Sequence, residues 1–255
     1  MTKRFQVIAC CLLACCLIST SAGGAVDGQS LFMEMAEKLA GIKGFSVSMF
    51  MSYDAVQESG QKIEFSERRI ITIMRPNHLR AVALQSDGDK HLLVFDGKVI
   101  TLFSETENVY SRIEHAGTVD EAIRYAGGNL GIRIPLARML LTALPEELKK
   151  LNLTVQYVER DTLSSPPTDH LAARSDDVDL QVWIAEDKLP RRIVLTYKNA
   201  EGQPQFRANF SNWNLEPKIS KTAFSFTPPE GAEKIPALLP GALLKAGKNE
   251  KGGAK

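Results

Sequence analysis

A period-two alternation of apolar and polar residues, repeated in one segment after another, constrains this chain more than any other feature. Phe45, Val47, Met49, Met51 and Tyr53 alternate with Ser46, Ser48 and Ser52, and Phe50 is the one breach. Successive side chains of a strand point to opposite faces, so the pattern predicts a half-buried strand with one polar face. Ser59-Gly60 turns the chain into a second run, Ile63 to Met74, which ends at Arg75-Pro76. His78 to Leu84 predicts a third strand, closed by the turn residues Asp87-Gly88. Leu92 to Phe95 and Val99 to Phe103 flank Asp96-Gly97, which predicts a hairpin with a type I′ turn. After the polar loop Ser104 to Asn108, Val109 to Ile113 returns as a further strand.

The second half repeats the period. Leu153, Val155 and Tyr157 alternate with polar neighbours, as do Val178, Leu180, Val182 and Ile184, then Ile193, Leu195 and Tyr197, then Phe206, Ala208 and Phe210. Ser164-Ser165-Pro166-Pro167 and Asn199 to Gly202 are the turns between them, and Phe224 to Phe226 is a last short strand ended by Pro228-Pro229. Strands joined by short turns pair antiparallel, because parallel neighbours need long crossovers.

Helical spacing is confined to three places. Leu31, Phe32, Met35, Ala36 and Leu39 predict a helix over Gln29 to Leu39, followed by Gly41 and Gly44. Thr118 and Glu121 form a capping box for a second helix containing Ile123 and Tyr125, ended by Gly127-Gly128. Pro135 suits the first turn of a third, running to Leu144 and apolar on most sides, which requires something to cover it. The fold class that follows is α+β: one large curved antiparallel sheet with a few helices inserted.

The start of the chain carries an address. Lys3 and Arg4 precede an apolar run from Val7 to Ile18, then small and polar residues from Ser19 to Ala25, the arrangement of an export signal spanning residues 1–25. Two processing routes fit it. Cleavage after Ala22 or Ala25 leaves a soluble protein, whereas Leu12-Leu13-Ala14-Cys15 resembles a lipoprotein box that would acylate Cys15. All four cysteines fall in this stretch, so the cleaved chain has neither disulfides nor thiol chemistry. About 230 residues remain, enough for a real core. Residues 26–240 are predicted to form one domain and residues 241–255, rich in Lys, Gly and Ala from Lys245, a disordered tail. A net charge of +1 without a basic stripe excludes a nucleic-acid binder, and no later stretch is long and apolar enough to cross a bilayer as a helix.

No catalytic or metal-ligating constellation appears. His78, His91, His115 and His170 are scattered, there is neither a Gly-x-Ser-x-Gly elbow nor a phosphate-binding Gly-x-x-x-x-Gly-Lys loop, and Asp87-Gly88-Asp89 is a plain turn rather than a calcium loop. No cofactor is expected. Two features invite a functional reading. Glu67 and Arg69 share a strand face with Ile63, Phe65, Ile71 and Ile73; inside an apolar hollow they must find partners, with Arg69 tethering a helix or meeting a ligand's polar end, and on a twisting strand they simply reach the rim. Met33, Met35, Met49, Met51, Met74 and Met139 are soft groups that suit either an ordinary core or a cavity for flexible acyl chains.

The run Ser59-Gly60-Gln61-Lys62-Ile63-Glu64-Phe65-Ser66, Arg75-Pro76 through Leu79-Arg80, Phe95-Asp96-Gly97-Lys98 with Leu102 and Tyr110, and Phe224-Ser225-Phe226-Thr227-Pro228-Pro229-Glu230-Gly231-Ala232 resemble the bacterial predicted periplasmic proteins of DUF2092. Gly117-Thr118-Val119-Asp120, Ile134-Pro135-Leu136, Leu189-Pro190-Arg191 and Trp213-Asn214 with Pro217 match as well. That family is similar in turn to the lipoprotein carrier LolA and receptor LolB, an unclosed half-barrel whose helices cover a hollow for acyl chains. The resemblance implies a periplasmic, non-enzymatic binding protein for a lipid, a lipoprotein acyl chain or another hydrophobic molecule. Met49, Met51, Phe65 and Ile71 would line the hollow, Arg69 invites comparison with the carrier's interior arginine without a shared motif that equates the two, and Leu140 would lie on the lid. The alternative is an envelope sensor that binds a membrane-protein partner through the same fold, which predicts a filled core.

Overall fold

Strand β1 (Gly44–Val56) pairs along its whole length with β2 (Lys62–Met74), and every second residue of the pair faces the same side. In a computed structural model describing residues 26–130 and 136–236, antiparallel neighbours extend this pair in both directions. On one flank lie β3 (His78–Gln85), β4 (Lys90–Phe95), β5 (Val99–Ser104) and β6 (Val109–Glu114). On the other lie β11 (Gln205–Asn214), β10 (Pro190–Tyr197), β9 (Val178–Ala185), β8 (Thr168–Arg174) and β7 (Thr154–Asp161). With the two-residue β12 (Glu233–Lys234) on β6, the sheet has 12 strands and does not close, since β7 and β12 are both edges. The signal and tail boundaries expected at 1–25 and 241–255 lie outside the described residues.

The inner face carries the core. Phe45, Val47, Ile73, Phe95, Ile100, Leu171, Val182 and Ile193 are buried there, and helix α1 (Gly28–Gly41) presents Leu31, Phe32, Met35 and Leu39 to them. Gly28 lets α1 approach β7: a Cβ at this position would stand 2.7 Å from the Tyr157 backbone nitrogen. Helix α2 (Val119–Gly128) closes one end of the sheet. Its capping box is complete, with the Glu121 amide donating to Thr118 Oγ1 at 3.2 Å and the Thr118 amide donating to Glu121 Oε2 at 2.7 Å.

Several local expectations need correction. The hairpin turn is not type I′. Gly97 takes φ 91°, but Asp96 does not join it in the left-handed region; its carboxylate instead accepts the amides of Lys98 and Val99 and closes a three-residue loop. The helix expected from Pro135 to Leu144 is also not formed. Pro135 lies outside the described residues, and beyond it a left-handed Leu136 (φ 62°) and an extended Leu141 limit the segment to one 3₁₀ turn, Ala137–Leu140. The helix here is α3 (Leu144–Lys150), opened by Pro145 with Glu146 and Glu147 and closed by Lys149 and Lys150, in accord with the helix dipole. Strand β8 went unpredicted. Phe224 ends a second 3₁₀ turn, Lys221–Phe224, instead of starting a strand, and the last strand is β12, which pairs with β6 in parallel.

Candidate functional site

Cross-strand register determines which residues meet on the inner face. Phe45, Val47, Met49, Met51 and Tyr53 of β1 lie opposite Ile73, Ile71, Arg69, Glu67 and Phe65 of β2. Where α1 and the 3₁₀ turn lie over this face, a small cleft remains, lined by Met49, Arg69 and Ile71 from below, by Leu39, Leu136, Met139 and Leu140 from above, and by Phe210 and Trp213 at the side. Its free volume is about 20 Å³ for water-sized occupants, so this half of the hollow is filled by protein side chains rather than open to an acyl chain.

Of the residues expected to form the site, Met49, Arg69, Ile71 and Leu140 thus surround one cleft. Met51 is buried on the same face but belongs to the core beyond it. Phe65 departs from expectation: it is 42% exposed and stacks on Tyr53 with ring centroids 5.9 Å apart, because the cover does not reach that end of the sheet. Ile63 and Tyr197 are exposed on the same side. The inner face therefore passes from a filled, covered end to an open aromatic mouth, with the Glu67–Arg69 ion pair at the boundary.

Arg69 finds its partner on its own strand. Its Nε and Nη2 reach Glu67 Oε1 at 2.7 and 2.6 Å, and both side chains are largely covered. That pairing answers the demand that charge in an apolar lining be compensated. The tether to the cover is instead Arg75, at the end of β2. Its Nε donates to the carbonyl of Ile42 after α1 (3.0 Å), Nη1 to Asp120 Oδ1 on α2 (3.2 Å), and Nη2 to the carbonyl of Leu140 (2.7 Å). Asp120 Oδ2 accepts in turn from the amide and hydroxyl of Thr142, at 2.8 and 2.6 Å. Burial pulls the Arg75 guanidinium below its ordinary pKa, and the Asp120 charge opposes that pull. One side chain thereby ties the sheet, α1, α2 and the Leu136–Leu140 segment together. In sequence Arg75-Pro76 ends a strand and belongs to the family resemblance, but its tethering role is not visible there, because its partners stand 33, 45 and 65 residues away.

Among the described residues, no three His, Cys, Asp or Glu side chains gather as metal ligands would, and no helix is long and apolar enough to cross a membrane. The family model of DUF2092, described as a predicted periplasmic protein, matches residues 28–238. The chain belongs to this family. Its place is the periplasm, as the family's description has it. No curated protein matches the sequence. Among solved structures, LprF from Mycobacterium bovis is similar at 14% identity and TM-score 0.49, over 80% of this chain and 97% of that one. A chain of the Pseudomonas aeruginosa MucA/MucB complex matches at 16% identity and TM-score 0.41, over 79% of this chain and 61% of that one. A LolA superfamily protein from Nitrosomonas europaea matches at 12% identity and TM-score 0.36, over 79% and 99%. These likenesses are loose, and the architecture described above rests on the strand pairing of this family member itself.

Proposed function

We propose that this DUF2092 protein is a periplasmic, non-enzymatic binding protein that takes an apolar ligand, a lipid or a lipoprotein acyl chain, between the inner face of its sheet and the Leu136–Leu140 segment. The reading also takes residues 1–25 as an export signal removed from the working protein. The observation that carries it is the course of the inner face: an exposed mouth of Tyr53, Ile63 and Phe65 leads past the Glu67–Arg69 pair to a cleft roofed by Leu39 of α1 and the short Leu136–Leu140 segment. In this closed form Leu136, Met139 and Leu140 occupy the place of the ligand, and binding displaces them. Each methylene that then leaves water contributes about 0.8 kcal/mol, so one long chain suffices without a charged anchor. A second reading, an envelope sensor that binds a membrane-protein partner, draws support from the filled cleft of about 20 Å³.

Native mass spectrometry of protein purified from the periplasm tests the first reading, with co-purified lipid expected. Leu140→Asp places a carboxylate over Met49 and Ile71 and should loosen the roof, changing lipid occupancy or lowering stability by about 2 kcal/mol. Repeated absence of lipid, with a Leu140→Asp variant as stable as the parent, overturns it.

A further inference from the structure

The outer face of the sheet carries a second apolar surface that the proposed ligand site does not use. Phe50, the one residue that breaks the alternation of β1, is 47% exposed there, Ile70 is 51% exposed, and Val82 and Leu84 are exposed beside them. Register places these side chains together. Phe50 pairs with Arg68, Arg68 with Leu84, and Leu84 with Lys90; in the next row Ile70 pairs with Val82 and Val82 with Leu92. Further along, Phe226 of the C-terminal segment covers Phe103 and Tyr110 at ring distances of 5.2 and 5.5 Å. The segment thus covers Phe103 and Tyr110, and Phe224 before it packs on His78 at the start of β3, while Phe50, Ile70, Val82 and Leu84 stay exposed.

Cations are interleaved with this patch. The Phe50 row continues through Asn209 to Arg192, whose guanidinium lies 5.1 Å over the Trp183 ring, and His170 stacks on that ring in turn. At the spacing of neighbouring strands, Arg192, Arg68 and Lys90 spread over about 24 Å of one row. Lys90 meets only the exposed Glu105, and among the described residues Arg68 and Arg192 stand in no ion pair. The nearby carboxylates Asp54 and Glu64 are taken by Arg207, so the row presents positive charge.

We propose that this outer face docks the protein on a bilayer rich in anionic lipid. The charge of the row favours a bilayer over a second copy. Two copies would set the same cations against each other, whereas an anionic headgroup region takes Arg68, Lys90 and Arg192 on its phosphates while Phe50, Ile70, Val82 and Leu84 enter the acyl boundary. The sequence that follows the last described strand has the same chemistry, an apolar run from Ala237 to Leu244 and then Lys245, Lys248, Lys251 and Lys255 against a single Glu250. The proposal stands independently of the ligand site, which lies on the opposite face.

Co-sedimentation of the processed full chain with vesicles tests it. Binding is expected to vesicles of equal phosphatidylcholine and phosphatidylglycerol, to fade with added salt, and to be lost on phosphatidylcholine alone. Joint Phe50→Ser and Ile70→Ser substitution should weaken it about tenfold or more, and Arg68→Gln, which needs no repacking, about fivefold. Lipid occupancy by native mass spectrometry should stay unchanged in these variants, which separates failure here from failure of the ligand reading. Three results overturn the proposal: no binding to the anionic vesicles, equal binding by the parent and Arg68→Gln, or self-association or capture of a membrane protein that is lost in the double variant while vesicle binding persists.

Discussion

The two ends of the β1–β2 hairpin share strand, register and inner-face periodicity, yet one end is core and the other is surface. Phe45 and Ile73 lie under α1 and α2 and are 1% and 0% exposed, while Tyr53 and Phe65, eight residues further along each strand, are each 42% exposed. The difference is the cover, not the strand. Apolar alternation makes a face that can be buried, and the α1, α2 and Leu136–Leu140 elements decide how much of it is. A protein that wanted only stability would extend the cover; leaving aromatic groups bare at one end is what invites a functional reading of the mouth.

Matched truncations break or confirm this contrast with the largest expected effect. Phe45→Ala should cost about 3–5 kcal/mol in urea denaturation, since the site is closed on all sides and cannot collapse, whereas Phe65→Ala should cost less than about 1 kcal/mol. Equal costs at the two positions would show that the mouth is packed in solution and would remove it as an entrance.

Arg75 provides the next test, because it holds the cover to the covered end. Arg75→Met leaves Asp120 with only its Thr142 bonds and strips the Leu140 carbonyl of its donor. Breaking a largely buried pair in this way should cost about 3 kcal/mol and should also raise uptake of an apolar dye by the cleft. A loss of stability without dye uptake would mean that the roof is held by its leucines and not by the arginine.

The parts of this architecture that were legible in sequence are those set by neighbours along the chain. The alternation of β1 and β2, the turn at Ser59-Gly60 and the Thr118–Glu121 box each depend on residues within a few positions, and each formed. Leu136 to Leu144 misled because a short run that is apolar apart from Arg138 and Thr142 fits a covered helix and a covered irregular segment equally well; the left-handed backbone at Leu136 has no glycine to announce it. The signals of α3 were present in Pro145, Glu146 and Lys150, but were overrun by the longer helix expected before it. Strand β8 hid because Ala172 and Ala173 give little contrast between its faces. At the candidate site, strand parity placed Met49 on the apolar face of β1 and Arg69 with Ile71 on one face of β2, and the family resemblance supplied the hollow they would line. Arg75 could not be read in this way, since its role exists only once the sheet, α1, α2 and the roof have come together.

The uncovered end must then be held by something other than inner-face burial, and the outer face beside Tyr53 shows what. Arg207 Nη1 donates to Asp54 at 2.8 Å and to Glu64 at 3.0 Å, and the Gln205 amide donates to Asp54 at 2.9 Å, which ties β11 to β1 and β2. Burial alone would push the Asp54 carboxyl up; the hydrogen bonds from Arg207 and Gln205 and the charges of Arg207 and Lys62 outweigh it and hold the group below its ordinary value. A carboxyl whose pKa is lower folded than unfolded binds its proton more weakly in the native state. Its contribution is therefore complete above the unfolded value of about 3.9 and is lost as pH falls through the folded one. Asp54→Asn should accordingly cost about 1 kcal/mol at neutral pH, with parent and variant converging in stability as the solution is acidified below about pH 4. Should the gap persist in acid, the loss at Asp54 is one of packing, and the open end of the hairpin is held, like the covered end, by apolar contact instead of by this ionic clasp.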